Sequence, residues 1–316
     1  MAAEARHANI PLVTIGGYLG AGKTTLVNQL LTRSDGRRYV VFVNDFGAIN
    51  IDVNLVDSVE ADRISFSSGC VCCTLNDDFV AAVVALAQGD DRVDGILIEA
   101  SGVSDPRALE ASLRALEAAG HIRFDTALYV IDADHFGRLD YIGTETIIDH
   151  AVASDLVLIN KADLVDAAQI DAISDMLKVA APYTHLMSTM QCQVPPEILF
   201  GALSTTRNGA AQKPAPAQHA TFYRWDGQLN APVDREAFRL FAQLLQAHFF
   251  RTKGLVRFLN APDEVYSLNA VGRHAVIQRV PQAAANGPAL QLIGINPAPV
   301  GDISAIDAAL LELSGH

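Results

Sequence analysis

The sequence holds no apolar run long enough to cross a membrane as a helix, and Met1 to Asn9 lack the hydrophobic core of a signal peptide. Both absences lead us to expect a cytoplasmic protein with no membrane partner. Basic clusters are missing too. Lys and Arg number 23 against 36 Asp and Glu, for a net charge of −13, and no dense Lys/Arg stretch is available to track a phosphate backbone. Nucleic acid is therefore not an expected partner. No solenoid period is present. Cysteine occurs only four times in 316 residues. In a reducing compartment these thiols stay free, so the clustering of three of them calls for metal or redox chemistry, not a disulfide framework.

Half of the residues are hydrophobic, and through the first two-thirds of the chain apolar strand patterns alternate with helical ones. That alternation predicts an α/β fold, a mostly parallel sheet covered by helices. The length predicts two domains of unequal size. Residues 8–204 read as the α/β domain, and 205–218, with Asn208-Gly209 and Lys213-Pro214-Ala215-Pro216, as a linker. Residues 219–316 read as a smaller α+β domain, with five strand patterns, a helix over Arg235–His248 and a closing helix over Ile303–Leu313.

The strongest local signal is Gly16-Gly17-Tyr18-Leu19-Gly20-Ala21-Gly22-Lys23-Thr24-Thr25, set between an apolar strand, Pro11–Ile15, and a helical pattern from Thr25. Gly17, Gly22, Lys23 and Thr24 meet the spacing G-x-x-x-x-G-K-[ST]. Glycines there let successive N–H groups curl toward a triphosphate, and the helix N-terminus adds its positive end. Gly20, Ala21 and Thr25 complete the phosphate-contacting stretch. Lys23 is expected to reach the β and γ phosphates, and Thr24 to offer its hydroxyl to Mg²⁺.

A second strand, Tyr39–Val43, is expected beside the phosphate-loop strand and runs into Asn44-Asp45-Phe46-Gly47. Asp45 then faces the Mg²⁺ or orients a water; an Asx turn is the alternative. Gly69-Cys70-Val71-Cys72-Cys73 follows, and its three thiols supply soft ligands that favour Zn²⁺ or a similar ion and leave a tetrahedral metal one position short. Buried apolar cysteines or a redox pair remain the competing readings. A further buried strand ends in Glu99, a candidate second carboxylate for Mg²⁺, followed by Ser101-Gly102, whose backbone can contact a γ-phosphate.

Base recognition is expected from Asn160-Lys161-Ala162-Asp163 at the end of the strand pattern Asp155–Ile159. The Asp163 carboxylate can accept from N1–H and the 2-amino group of guanine, a pairing adenine cannot offer. Asn160 braces the loop and the Lys161 stem covers the ring. Ser188-Thr189 lies where a loop can approach the base from the other side, while Cys192, remote from the other thiols, reads as an ordinary core or loop residue.

Taken together, the phosphate loop, Asn44-Asp45-Phe46-Gly47, Gly69-Cys70-Val71-Cys72-Cys73, Glu99-Ala100-Ser101-Gly102 and Asn160-Lys161-Ala162-Asp163 resemble the CobW-like family of P-loop GTPases. The resemblance extends through Arg251-Thr252-Lys253-Gly254-Leu255 into the second domain. It implies hydrolysis of GTP with Mg²⁺, in which Lys23, Asp45 and Glu99 are the catalytic set. It also implies that Cys70, Cys72 and Cys73 carry Zn²⁺, Co²⁺ or another transition metal to a client metalloprotein. The chain departs from the family at Ala48, where a glutamate is common, and in residues 204–218, which contain no histidine. Two other readings stay open: a non-catalytic, GTP-dependent metal sensor or store, and a small-molecule P-loop kinase with structural cysteines.

Overall fold

The computed structural model describes residues 10–34, 36–43, 62–65, 77–89, 93–100, 106–182, 184–200, 223–272, 274–280, 288–296 and 302–313. The chain divides into two compact units, Met1–Ser204 and Thr205–His316. In the first unit the order is β1 (Ile10–Gly17), α1 (Lys23–Thr32), β2 (Tyr39–Val43), β3 (Asp62–Ser65), α2 (Asp77–Gln88), β4 (Gly95–Glu99) and α3 (Pro106–Ala118). It continues with β5 (Ile122–Asp132), α4 (Ala133–Phe136), α5 (Tyr141–Val152), β6 (Leu156–Asn160), α6 (Ala167–Ala180), β7 (His185–Ser188) and α7 (Pro196–Phe200).

Its seven strands form one parallel sheet in the order β3-β2-β4-β1-β5-β6-β7. The central strands are continuous apolar runs because helices cover both faces, which is what an all-parallel sheet requires. Two cores result. Leu12, Val40, Ile96 and Phe42 pack with Phe79 and Val83 of α2 and Leu113 of α3, and Tyr129, Ile131, Val157 and Ile159 pack with Ile147 of α5 and Ile173 of α6.

The expected adjacency of the 39–43 strand and the phosphate-loop strand is corrected by this order. β4 lies between them, pairing Ile96 with Leu12 on one side and Val40 on the other. In a parallel sheet each return strand needs a crossover, and the crossover through α2 inserts β4 into the gap that β2 leaves. β5 begins at Ile122 and shifts register beside Leu12 and Val13, where the Arg123 and Asp125 side chains pair at 2.6 Å. α5 begins at Tyr141, where Asp140 caps it by accepting from the Gly143 N–H at 2.8 Å. Exposed Tyr141 and Ile142 obscure its apolar stripe.

The second unit contains β8 (Tyr223–Leu229), α8 (Arg235–His248), β9 (Arg251–Phe258), β10 (Ala261–Val271), β11 (His274–Arg279), β12 (Leu290–Asn296) and α9 (Ser304–Leu313). The strands make an antiparallel sheet in the order β11-β10-β9-β12-β8. Phe238, Phe241 and Leu245 recur at helical spacing on α8 and, with Ile306 of α9, cover Trp225, Val256, Phe258 and Leu292 of the sheet. No helix among the described residues is long and apolar enough to cross a membrane.

Candidate functional site

β1 delivers the chain at Gly17, and the loop returns into α1 on Gly22. Both glycines have left-handed backbones, φ 142° and 115°. Each is also closed to a side chain: a Cβ on Gly17 would stand 2.5 Å from the Val130 carbonyl, and one on Gly22 would meet Asn160 Nδ2 at 2.6 Å and Cys192 Sγ at 2.8 Å. Among the described residues no side chain caps α1, so the N–H groups of its first turn, from Lys23, Thr24 and Thr25, are suited to an anion. The buried Lys23 ammonium donates to the Gly17 carbonyl at 2.8 Å and to that of Tyr18 at 3.2 Å. Gly20 and Ala21 lie between, Ala21 donating its N–H to the Tyr18 carbonyl at 3.2 Å.

Glu99 ends β4 directly opposite Ile15 of β1, and Ala100 N–H donates to the Ile15 carbonyl at 2.9 Å. This places the buried Glu99 carboxylate at the loop, where the Thr24 hydroxyl donates to it at 2.7 Å. Two hard oxygen donors thus converge beside the phosphate loop, a set that fits Mg²⁺, which takes oxygen ligands and keeps several waters.

The segment expected to read the base begins at Asn160, the last residue of β6. Asn160 is buried, its Nδ2 donating to the Ala21 carbonyl at 2.8 Å and its Oδ1 accepting from the Cys192 N–H at 2.9 Å. Lys161 has φ 59° and leads into a 3₁₀ turn, Ala162–Leu164, on which Asp163 is exposed. Lys161 Nζ donates to Asp132 Oδ2 at 2.6 Å. Thr189 does not face outward as a base contact. It is buried and ties the loop after β7 to β6, its N–H donating to the Ile159 carbonyl and its own carbonyl accepting from Ala162 N–H.

Three further positions contact the phosphate loop or the segment after β6. Cys192 is fully buried and its thiol donates to the Gly22 carbonyl at 3.3 Å. Burial pushes this thiol up to about 12, against a counter-pull from Lys161, which keeps it protonated as the donor to Gly22. Asp132 holds Lys161, and Tyr18 stacks on His135 with centroids 5.7 Å apart. No motif marks any of them, since a lone cysteine, a strand-terminal aspartate and an aromatic inside a glycine loop are each commonplace. Asp45, Cys70, Cys72, Cys73 and Gly102 lie outside the described residues. Among the described residues no three His, Cys, Asp or Glu side chains group as a metal site.

Residues 11–187 match the family described as CobW/HypB/UreG, nucleotide-binding domain. The chain belongs to this family. Residues 224–311 match the cobalamin synthesis protein cobW C-terminal domain, so both units are covered. Among curated relatives of this CobW/HypB/UreG chain, a zinc chaperone CobW of Sinorhizobium sp is 32% identical over 200 residues, 55% of this chain and 56% of the relative. A zinc-regulated GTPase metalloprotein activator 1 of Dictyostelium discoideum is 28% identical over 225 residues, 59% of this chain and 47% of the relative. The alignments thus span about half the length of these relatives. The solved Zn(II)-bound YjiA GTPase from E. coli superposes over 96% of this chain and 99% of that one, with 20% identity and a TM-score of 0.48.

Proposed function

We propose that this CobW/HypB/UreG chain is a GTP-hydrolysing metallochaperone that binds Zn²⁺ through Cys70, Cys72 and Cys73 and hands it to a client metalloprotein. The observation that carries the nucleotide half is the convergence of three separate segments on one loop. Thr24 meets Glu99, Asn160 meets the Ala21 carbonyl, and Cys192 meets the Gly22 carbonyl. The segments expected to carry the phosphate, metal and base contacts thereby meet around a single cradle, which supports the reading.

Each residue has a physical role in splitting GTP to GDP and phosphate. Lys23 exchanges its loop carbonyls for phosphate oxygens, and the first-turn N–H groups of α1 hold the same anion. Thr24 and Glu99 would hold Mg²⁺, which would supply charge neutralisation to the triphosphate. Asp45 orients the attacking water and the Gly102 N–H senses the γ-phosphate. Asp163 reads the guanine edge. With no arginine finger evident in the sequence, unaided turnover is slow, about 10⁻⁴ to 10⁻² s⁻¹.

The metal half rests on three thiols within four residues and on relatives named zinc chaperone and zinc-regulated GTPase metalloprotein activator. Topology supports a link between the halves. Ser65, where β3 ends ahead of the cysteines, pairs with Val43, and Val43 pairs with Glu99, so two strand spacings, about 10 Å, separate the backbones of Ser65 and Glu99. A nucleotide gate then requires different metal affinities in the GTP and GDP states, since equal affinities shift nothing. Phosphate release under multiple turnover, read with GTP and with ATP, tests the enzyme. Turnover of GTP alone supports it, and phosphate transfer to a small acceptor instead contradicts it.

A further inference from the structure

β5 ends at Asp132, directly beside Asn160 of β6, and this carboxylate divides its oxygens between two tasks. Oδ1 accepts the N–H groups of Asp134 and His135, each at 3.1 Å, and so caps α4. Oδ2 receives the Lys161 ammonium at 2.6 Å. An exposed Lys–Asp contact does little, but here the carboxylate is only 14% exposed and is fixed by the cap before the lysine arrives. Burial acts to raise the Asp132 carboxyl, yet the hydrogen bonds from Lys161 and the His135 amide outweigh it and hold the group below the usual carboxylate range.

The lysine is constrained from its own side as well. Its backbone sits in the left-handed region, which costs an L-residue energy and persists only where surroundings impose it. On the other flank, α4 presents His135 to Tyr18 of the phosphate loop, the rings inclined by only 16°. One side chain therefore anchors the base loop through Lys161 and, through the short helix it caps, touches the phosphate loop.

We propose that Asp132 is a positioning residue for nucleotide binding: it holds the Lys161 stem in place to cover the plane of the purine. The inference rests on the guanine-nucleotide reading of the site. It separates Asp132 from the residues that read the base edge, because covering a ring adds affinity without choosing among purines, whereas Asp163 makes the choice.

The test uses the full chain and a fluorescent GDP in a four-member cycle of the parent, Asp132→Asn, Lys161→Met and the double variant. Asparagine is a good N-cap, so Asp132→Asn keeps α4 and removes the charge that holds Lys161. The loss in GDP affinity expected for Asp132→Asn is about tenfold, the scale of one charged hydrogen bond. Lys161→Met should lose as much, and the double variant no more than either, because the two act as one unit. In GTP hydrolysis KM should rise by the same factor while kcat holds. Parent-like affinity in Asp132→Asn, additive losses, or a lowered kcat at unchanged KM would each overturn the assignment. Lys161→Arg supplies a control independent of Asp132 variants, since it leaves a cation for the carboxylate to hold. Affinity within about threefold of the parent is expected for it, and a loss as large as that of Lys161→Met counts against the proposal. A parent protein that binds no guanine nucleotide defeats the reading of the site itself, whereas binding that Asp132→Asn leaves unchanged defeats only the role of Asp132.

Discussion

Thr24 and Glu99, 75 positions apart in the chain, share a hydrogen bond of 2.7 Å. It exists because β4 is inserted between β2 and the phosphate-loop strand, which sets Glu99 against Ile15. Glu99→Gln keeps the size and an oxygen acceptor but removes the negative charge proposed to hold Mg²⁺. Hydrolysis should fall by about 100-fold or more, the cost of removing one preorganised electrostatic partner. The Mg²⁺ dependence of phosphate release checks this, and unchanged turnover at ordinary Mg²⁺ would remove Glu99 from the metal site.

Gly22→Ala should be far more damaging than its size suggests. The new methyl would meet Asn160 Nδ2 at 2.6 Å and Cys192 Sγ at 2.8 Å, on a backbone at φ 115°. Strain and overpacking together predict a loss of roughly 2–4 kcal/mol in unfolding free energy. Chemical denaturation measures it. Gly20→Ala is the control for space, since a Cβ there has nothing within 4 Å, and it retains only the backbone cost of φ 75°.

Cys192 makes a prediction about alkaline pH. Its thiol is raised from 9.0 to about 12 by burial, so the folded state disfavours the thiolate more than the unfolded chain does. The stabilisation is complete below about pH 9 and is lost as pH climbs through about 12. Cys192→Ser keeps a donor for the Gly22 carbonyl and does not titrate in that window, so the alkaline limb of its stability curve should be shallower than the parent's. Identical limbs would show that the thiol contributes nothing there.

Asp163→Asn should change which base is accepted. The carboxylate suits the N1–H and 2-amino donors of guanine, whereas the amide can donate to the 2-carbonyl of xanthine. GDP affinity should fall by about 10³-fold or more and xanthine nucleotide affinity should rise, because unmatched polar groups at a base edge are heavily penalised. Competition binding with the two nucleotides decides it, and a variant that keeps its guanine preference would show that another residue reads the base.

The placement of the phosphate loop between a strand and a helix, and of Asn160 at a strand end, was legible because each motif is contiguous with strict spacing. The same holds for α8, whose start at Arg235 follows the cap residue Asp234 and whose apolar stripe is regular. The contacts of Cys192 and Asp132 were not legible because they come from partners that the sheet order supplies. Cys192 lies 170 positions from Gly22, and nothing in its neighbourhood announces that contact. The order β2-β4-β1 was hidden for the same reason: β2 and β4 are both short apolar runs, and only the crossover decides which lies next to β1.

The central claim is that nucleotide state sets metal affinity at the three clustered cysteines. Its most direct test is the Zn²⁺ affinity of the protein loaded with GDP and then with a non-hydrolysable GTP analogue, by competition with a chromophoric chelator. Cys72→Ser is measured alongside. The account predicts tighter Zn²⁺ binding in the GTP-like state, lost in Cys72→Ser while GTP binding is kept. Equal affinities in the two states, or full Zn²⁺ affinity in Cys72→Ser, would contradict it.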